Sequence, residues 1–186
     1  NFSIIRGLNL TGAIYPAVIA DLTNKDRANE GMPHLAWNDT LERAARLKAE
    51  DMVKNGYFAH ISPAGVTPWF WLEQAQYNFI YAGENLALDF TESANVEDAW
   101  LASPTHRDNV LSTNFTEIGI TAIDGYFEGR NTTFVVEFFG KPQTTRLAQV
   151  IPKIENVLIT ENTESTTPEV AGASTESTPI IKPKTK

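Results

Sequence analysis

The chain has 186 residues, 42% of them hydrophobic and 10% aromatic, enough to bury a full core in one domain plus an extension. Its 23 acidic and 15 basic side chains leave a formal net charge of -8, which argues against the cationic footprint of a nucleic-acid binder and against charge-driven adhesion to anionic membrane. Cysteine is absent, excluding disulfides, zinc–thiolate sites and thiol nucleophiles, and no stretch approaches the roughly 20 apolar residues that cross a bilayer.

The chain begins at Asn1 rather than Met and reads as a processed product whose signal or anchor lies outside the sequence. Residues 1–13 form an N-terminal extension. Tyr15, Val18, Ile19 and Leu22 share one face of a helix expected over 14–29, closed by Gly31 and Pro33. Asn38 or Asp39 caps a second helix, in which Leu41, Ala44, Ala45, Lys48 and Met52 share a face and Gly56 supplies the stop. Thr67-Pro68 opens a short helix carrying Trp69, Phe70, Trp71 and Leu72, a cluster read as core. A further helix is expected over 95–101, and Ser103-Pro104 repeats the cap–proline signal ahead of a helical turn bearing His106. Asp89, Glu92, Glu97 and Asp98 read as a solvated acidic face.

Strands come late. Residues 117–123 alternate, and 132–139 are β-branched and aromatic on both faces, as in a strand covered on two sides. Asp124-Gly125 and Gly129-Arg130-Asn131 bracket a loop that makes them an antiparallel pair. The expected architecture is α+β, with helices on both faces of a small, mainly antiparallel sheet. The domain is placed at 14–140, and residues 1–140, with 18 acidic and 9 basic side chains, hold the negative charge. Residues 141–160 are either a packed extension or a linker, and 161–186, rich in Ser, Thr, Pro and Glu, are expected to stay solvated.

Two of only three histidines stand in segments with strong local signals. His60 lies in Ala59-His60-Ile61-Ser62-Pro63, followed by Gly83-Glu84-Asn85. His106 lies in Ser103-Pro104-Thr105-His106-Arg107-Asp108-Asn109, followed by Glu117-Ile118-Gly119. A carboxylate beside an imidazole fixes which ring nitrogen carries the proton, so two imidazoles with one or two carboxylates are candidates to hold a divalent ion such as zinc. No local metal signature such as H-E-x-x-H is present, so such a site has to be assembled from distant segments. The alternatives are that each histidine bonds backbone, that Glu84 is a structural carboxylate, and that Glu117, opening a strand, is solvated. His34 reads as a loop residue. Ser62 follows His60 by two positions without the G-x-S-x-G elbow of a nucleophilic serine.

Taken in order, Asn24-x-x-Arg27, Pro33-x-Leu35-x-Trp37, His60-x-Ser62-Pro63, Gly83-Glu84-Asn85-Leu86-Ala87, Trp100-x-x-Ser103-Pro104-x-His106-Arg107-x-Asn109 and Glu117-Ile118-Gly119 closely resemble the CAP superfamily. This is the SCP domain of cysteine-rich secretory proteins, antigen 5 and pathogenesis-related 1 proteins. The resemblance spans about residues 15 to 140, and its cysteine-free S-P-x-H-R-x-N form is similar to the bacterial branch. It implies an α-β-α sandwich with a central cleft, and secretion or surface display. Of the family's two-histidine, two-glutamate cleft tetrad, His60, Glu84 and His106 occupy three positions. The second glutamate follows the helix-borne tryptophan by three residues, where this chain has Ser103; Glu117 is a candidate to replace it in space.

The expected site therefore comprises His60, Glu84, His106, Ser62, Asn85, Ser103 and Glu117, with His60 and His106 as metal ligands. The expected function is a secreted or surface-tethered binding module for an extracellular lipid, peptide or protein, with no nucleic-acid partner. One alternative is a metal-assisted or His/Glu hydrolase of peptide or cell-envelope material. Another is a structural surface domain whose polar cluster only fixes loops.

Overall fold

A computed structural model describes residues 13–143. The expected solvated segment at 161–186 lies outside the described residues, as do residues 1–12 and 144–160. The elements in chain order are α1 (Pro16–Asn29), β1 (Ala36–Trp37), α2 (Asp39–Asn55), α3 (Pro68–Gln74), β2 (Phe79–Leu88), α4 (Ser93–Ala102), α5 (Pro104–Val110), β3 (Glu117–Phe127) and β4 (Arg130–Pro142). The four strands form one sheet in the order β1-β3-β4-β2, antiparallel except for the parallel β1–β3 pair. Helices cover both faces, giving the expected α-β-α sandwich.

Each face has its own core. Leu41 and Met52 of α2 and Leu72 of α3 pack with Leu86, Leu88, Phe134, Val136 and Phe138 on one face. Ile19 of α1 and Val96 and Trp100 of α4 pack with Ile118, Ile120, Val135 and Phe139 on the other. Consecutive residues of β4 thus point to opposite faces, and the uniformly apolar run of that strand is explained by burial on both sides.

The α2 helix forms as the sequence dictates. Asn38 accepts from the backbone N–H groups of Thr40 and Leu41, Gly56 ends the helix at φ 65°, and Leu41, Ala44, Ala45, Lys48 and Met52 are all buried. A fully buried side chain such as Leu41 or Met52 contributes about 1.5–3 kcal/mol. Gly119 of β3 permits the close approach, because a β-carbon there would run into the backbone of Leu41 and Glu42.

The inward face of α1 differs from the expected stripe. Tyr15, just before the helix, and Val18 are 52% and 43% exposed, while Ile19, Ala20, Thr23 and Arg27 turn inward. Polar pairing decides the rotation. Thr23 donates to the Glu97 carboxylate (3.0 Å), and Arg27 donates to the carbonyls of Pro33, Val110 and Ser112 (2.8–2.9 Å). The expected acidic solvated face is corrected at the same place: Glu97 is 1% exposed, and Asp89 pairs with Arg130 and Thr132. Only Glu92 and Asp98 of that group face solvent.

The β3–β4 pair forms in the expected antiparallel sense, but both strands continue through the bracketed loop to pair Phe127 with Arg130. Residues 79–88, which carry no strand signal in the sequence reading, form β2 at the edge of the sheet. This strand positions the site.

Candidate functional site

Within β2, Glu84 lies on the same face as Leu86 and Leu88, toward α2, whereas Asn85 lies on the opposite face toward α4 and α5. Two adjacent residues on an edge strand therefore reach around it in both directions. Glu84 Oε1 is 2.6 Å from His60 Nδ1, and Asn85 Nδ2 donates to the His106 carbonyl (3.3 Å).

His60 stands on the connection between α2 and α3. Lys48, fully buried on α2, donates to the His60 carbonyl (2.7 Å). Burial pushes the Lys48 ammonium below its ordinary range, and the nearby carboxylates of Glu84 and Asp51 pull it back. Ser62 shapes the turn: its hydroxyl accepts from the Val66 N–H (3.1 Å), and its own N–H donates to the Val66 carbonyl (2.9 Å). The serine is thereby engaged in loop closure. The His60 side chain is 24% exposed, that of Glu84 only 1%.

His106 sits in the first turn of α5 and is buried. Ser103, the residue before the helix, places its hydroxyl 2.8 Å from His106 Nδ1. Burial, together with the charge of a protonated His60, lowers the His106 pKa to about 4, so its ring is neutral at physiological pH. Asn109, one turn further along α5, donates to the Glu84 carbonyl (3.1 Å) and to Asn85 Oδ1 (2.9 Å). A β-carbon on Gly83 would lie 2.8 Å from the Phe115 ring and 3.0 Å from Asn109 Oδ1, so glycine at this position lets α5 come down on the strand.

The structure thus links His60 to Glu84, His106 to Ser103, and the two groups to one another through Asn85 and Asn109. Glu117 goes elsewhere. Its carboxylate accepts from Asn38 Nδ2 (3.0 Å) and from the Tyr77 hydroxyl (2.6 Å) at the start of β3, and it makes no contact with either histidine among the described residues. Lys48 and Asn109 are side chains of the site that were not among its expected residues. A lysine within the apolar face of α2 was the visible signal for the first, and the second closes the motif that carries Ser103 and His106.

Among the described residues, no three His, Asp or Glu side chains gather closely enough to hold a metal ion. The donor set nevertheless has one property that suits a cation. The Glu84 carboxylate can only accept, so it keeps the proton of a neutral His60 ring on Nδ1 and leaves Nε2 with a lone pair to offer; the Ser103 hydroxyl at His106 Nδ1 can donate or accept, and where it accepts, Nε2 of His106 is likewise free. The carboxylate on His60 supplies the outer-shell support that orients a metal-binding imidazole, and Glu84 Oε2 is a buried oxygen without a hydrogen-bond partner among the described residues. A cavity of about 550 Å³ lies elsewhere, lined by Asp89, Phe90, Asp124 and Thr133 among others, on the order of 15 Å along the strand from Glu84.

Residues 20–138 match the family model for CAP, the cysteine-rich secretory protein family. The YkwD protein of Bacillus subtilis is 35% identical over 127 residues, which are 68% of this chain and 48% of that protein. A solved extracellular protein from Bacillus anthracis containing an SCP domain is 32% identical with a TM-score of 0.58, covering 68% of this chain and 40% of the other. An outer surface protein of Borrelia burgdorferi is 26% identical with a TM-score of 0.60, covering 68% and 92%. The chain spans about half the length of YkwD.

Proposed function

Because the chain belongs to the CAP family of cysteine-rich secretory proteins, we propose that it is a secreted or surface-tethered binding module whose two histidines hold a divalent ion such as zinc. Neighbours in structure are an extracellular protein and an outer surface protein, and no helix among the described residues is long and apolar enough to cross a membrane. The ligand is an extracellular lipid, peptide or protein that meets the ion and the rim formed by Ser103 and the exposed Ile61, on the loop that Ser62 closes.

The observation that carries this reading is the engagement of His60 Nδ1 by the Glu84 carboxylate, which leaves Nε2 of His60 free. Nε2 of His60 would serve as one ligand atom, and Nε2 of His106 as the other with the Ser103 hydroxyl accepting from Nδ1. Bound zinc would supply Lewis-acid polarisation of an oxygen on the ligand. His106 is neutral, as a metal-ligating imidazole has to be. Glu84 orients His60, Lys48 anchors the backbone of the same residue, and Asn85 holds the segment bearing His106. With His60 and His106 as the two nitrogen donors among the described residues, an ion held there would keep positions for water or ligand.

The His60–Glu84 contact at 2.6 Å also favours a second reading, a hydrolase of peptide or cell-envelope material with His60 as general base and Glu84 orienting it. Calorimetric titration with zinc of the wild type, His60→Ala and His106→Ala, alongside turnover assays on peptides and cell-wall fragments, separates the readings. Zinc binding lost in both variants, without turnover, supports the binding module. Binding unaltered by both substitutions removes the metal, and turnover that is lost in His60→Ala selects the hydrolase.

A further inference from the structure

Two acidic side chains lie in the apolar layer between the sheet and α4. Glu97 of α4 is 1% exposed and Glu137 of β4 is fully buried. The Thr23 hydroxyl donates to Glu97 Oε2 (3.0 Å) and also lies against Glu137. Asn85 Nδ2 donates to Glu137 Oε2 (3.0 Å). The second oxygen of each carboxyl, Oε1, is buried and has no hydrogen-bond partner among the described residues.

The charged groups around the pair do not neutralise it. Asp26 of α1 and Asp98 of α4 add negative potential. Arg27 of α1 directs Nε and Nη1 to the carbonyls of Pro33, Val110 and Ser112, and its buried Nη2 makes no hydrogen bond to either carboxyl. From β3 the residue opposite Glu137 is Ile120, from β2 it is the uncharged Asn85, and on α5 His106, whose carbonyl Asn85 binds, is held neutral. Two carboxylates cannot both ionise at such quarters without a large electrostatic cost, whereas one or two protons give the orphaned oxygens a donor role.

We propose that Glu97 and Glu137 form a proton-retaining acid pair that positions the histidine site, with Glu137 fixing Asn85 and Asn85 fixing the backbone of His106. Asn85 is fully buried and joins Glu137, the His106 carbonyl and Asn109, which in turn binds the Glu84 carbonyl. One side-chain amide therefore carries any change in the pair to both arms of the site. Burial raises Glu97 to about 7, with Asp26 and Asp98 adding to it, and burial together with the charge of Glu97 raises Glu137 well above the ordinary carboxyl value. The inference concerns geometry within the folded chain and does not depend on zinc.

The sign of the linkage follows. A carboxyl whose pKa is raised by folding contributes fully below its unfolded value, and that contribution is lost as pH rises through the folded value. Glu97→Gln and Glu137→Gln keep the side-chain shape and an acceptor for Asn85 while removing the titration. The test is a metal-free NMR titration from pH 5 to 9 of protein with ¹³C-labelled glutamate, following the carboxyl signals, the Asn85 side-chain amide and the His106 backbone amide.

Two carboxyl signals are expected to titrate near and above pH 7, with the Asn85 and His106 signals moving at the same midpoint. In the glutamine variants that midpoint disappears, and the decline in melting temperature toward alkaline pH is smaller than in wild type. Carboxyls that all titrate in the ordinary range near 4.5 would overturn the pair. Buried carboxyls that titrate high while Asn85 and His106 stay still would overturn the positioning role. The wild-type titration alone decides if either variant does not fold.

Discussion

Glu84 and Asn85 are adjacent in β2 and serve opposite sides of the sheet: the carboxylate of one meets the His60 ring, and the amide of the other binds the His106 carbonyl. The alternation of a single strand, rather than any helix or loop, brings the two histidine segments into one assembly. Several measurable consequences rest on this arrangement.

Replacing Asn85 by Asp places a carboxylate against Glu137 in a fully buried setting and removes the donor shared by Glu137 and His106. An uncompensated buried charge costs about 3–5 kcal/mol, so Asn85→Asp is expected to lower stability by an amount of that order at neutral pH. Denaturant unfolding of both proteins checks this. A loss under 1 kcal/mol would show that the amide is not the linchpin described.

Lys48→Met retains the apolar stem of a buried lysine and deletes its ammonium. The His60 carbonyl loses its donor and Glu84 loses its nearby positive charge. Stability is expected to fall by about 1–3 kcal/mol, and amide hydrogen exchange to accelerate in residues 60–66 while α5 remains protected. Equal acceleration in both segments would mean that Lys48 supports the whole fold rather than the His60 loop.

His106 sets a pH dependence of its own in metal-free protein. Its pKa is lowered from 6.5 to about 4 on folding, so the unfolded chain binds the proton more readily. The contribution is therefore complete above pH 6.5 and is lost as pH falls toward 4, amounting to up to roughly 3 kcal/mol. The sign is opposite to that of the acid pair. Subtracting the stability profile of His106→Asn from that of wild type should leave a curve that rises with pH across this window; a flat difference would place the ring in water.

Ser103→Glu restores a carboxylate beside His106, three residues after Trp100. If the two imidazoles hold zinc, an added oxygen donor is expected to tighten binding about tenfold or more, equivalent to roughly 1.4 kcal/mol. Calorimetry on the folded variant gives the answer, and weaker binding than wild type would argue that the Ser103 hydroxyl, through Nδ1 of His106, matters more than a further ligand.

The helical frame was legible in the sequence because its signals are local. Asn38 and Gly56 bound α2, its apolar spacing marks the buried face, and Pro68 and Pro104 open the two short helices. β2 escaped notice because Gly83-Glu84-Asn85 interrupts its apolar run with the residue types of a turn, and because a strand buried on both faces has no alternation to display. The inward side of α1 was misread for a related reason. Thr23 and Arg27 are buried through partners 74 to 85 residues away, and no spacing within a helix reveals such a partner. Glu97 looked solvated on composition alone, although its counterpart, Glu137, stood out as a lone acid in the run Phe134-Val135-Val136-Glu137-Phe138-Phe139. Of the residues expected at the site, His60 meets Glu84 and His106 is tied to them through Asn85 and Asn109, whereas no pattern in the sequence discloses that Glu117 is committed to Tyr77 and Asn38.

The absent side chain at Gly119 has a mechanical consequence for the histidines. With α2 seated directly on β3, the helix acts as a rigid beam whose far end carries the left-handed turn at Gly56 and, four residues on, His60. A methyl group at Gly119 would wedge the beam upward near its start. The far end rests on the same strand, where a β-carbon on Gly125 would meet Val53 at 2.7 Å, so two missing side chains on β3 fix both ends of the helix that leads into His60.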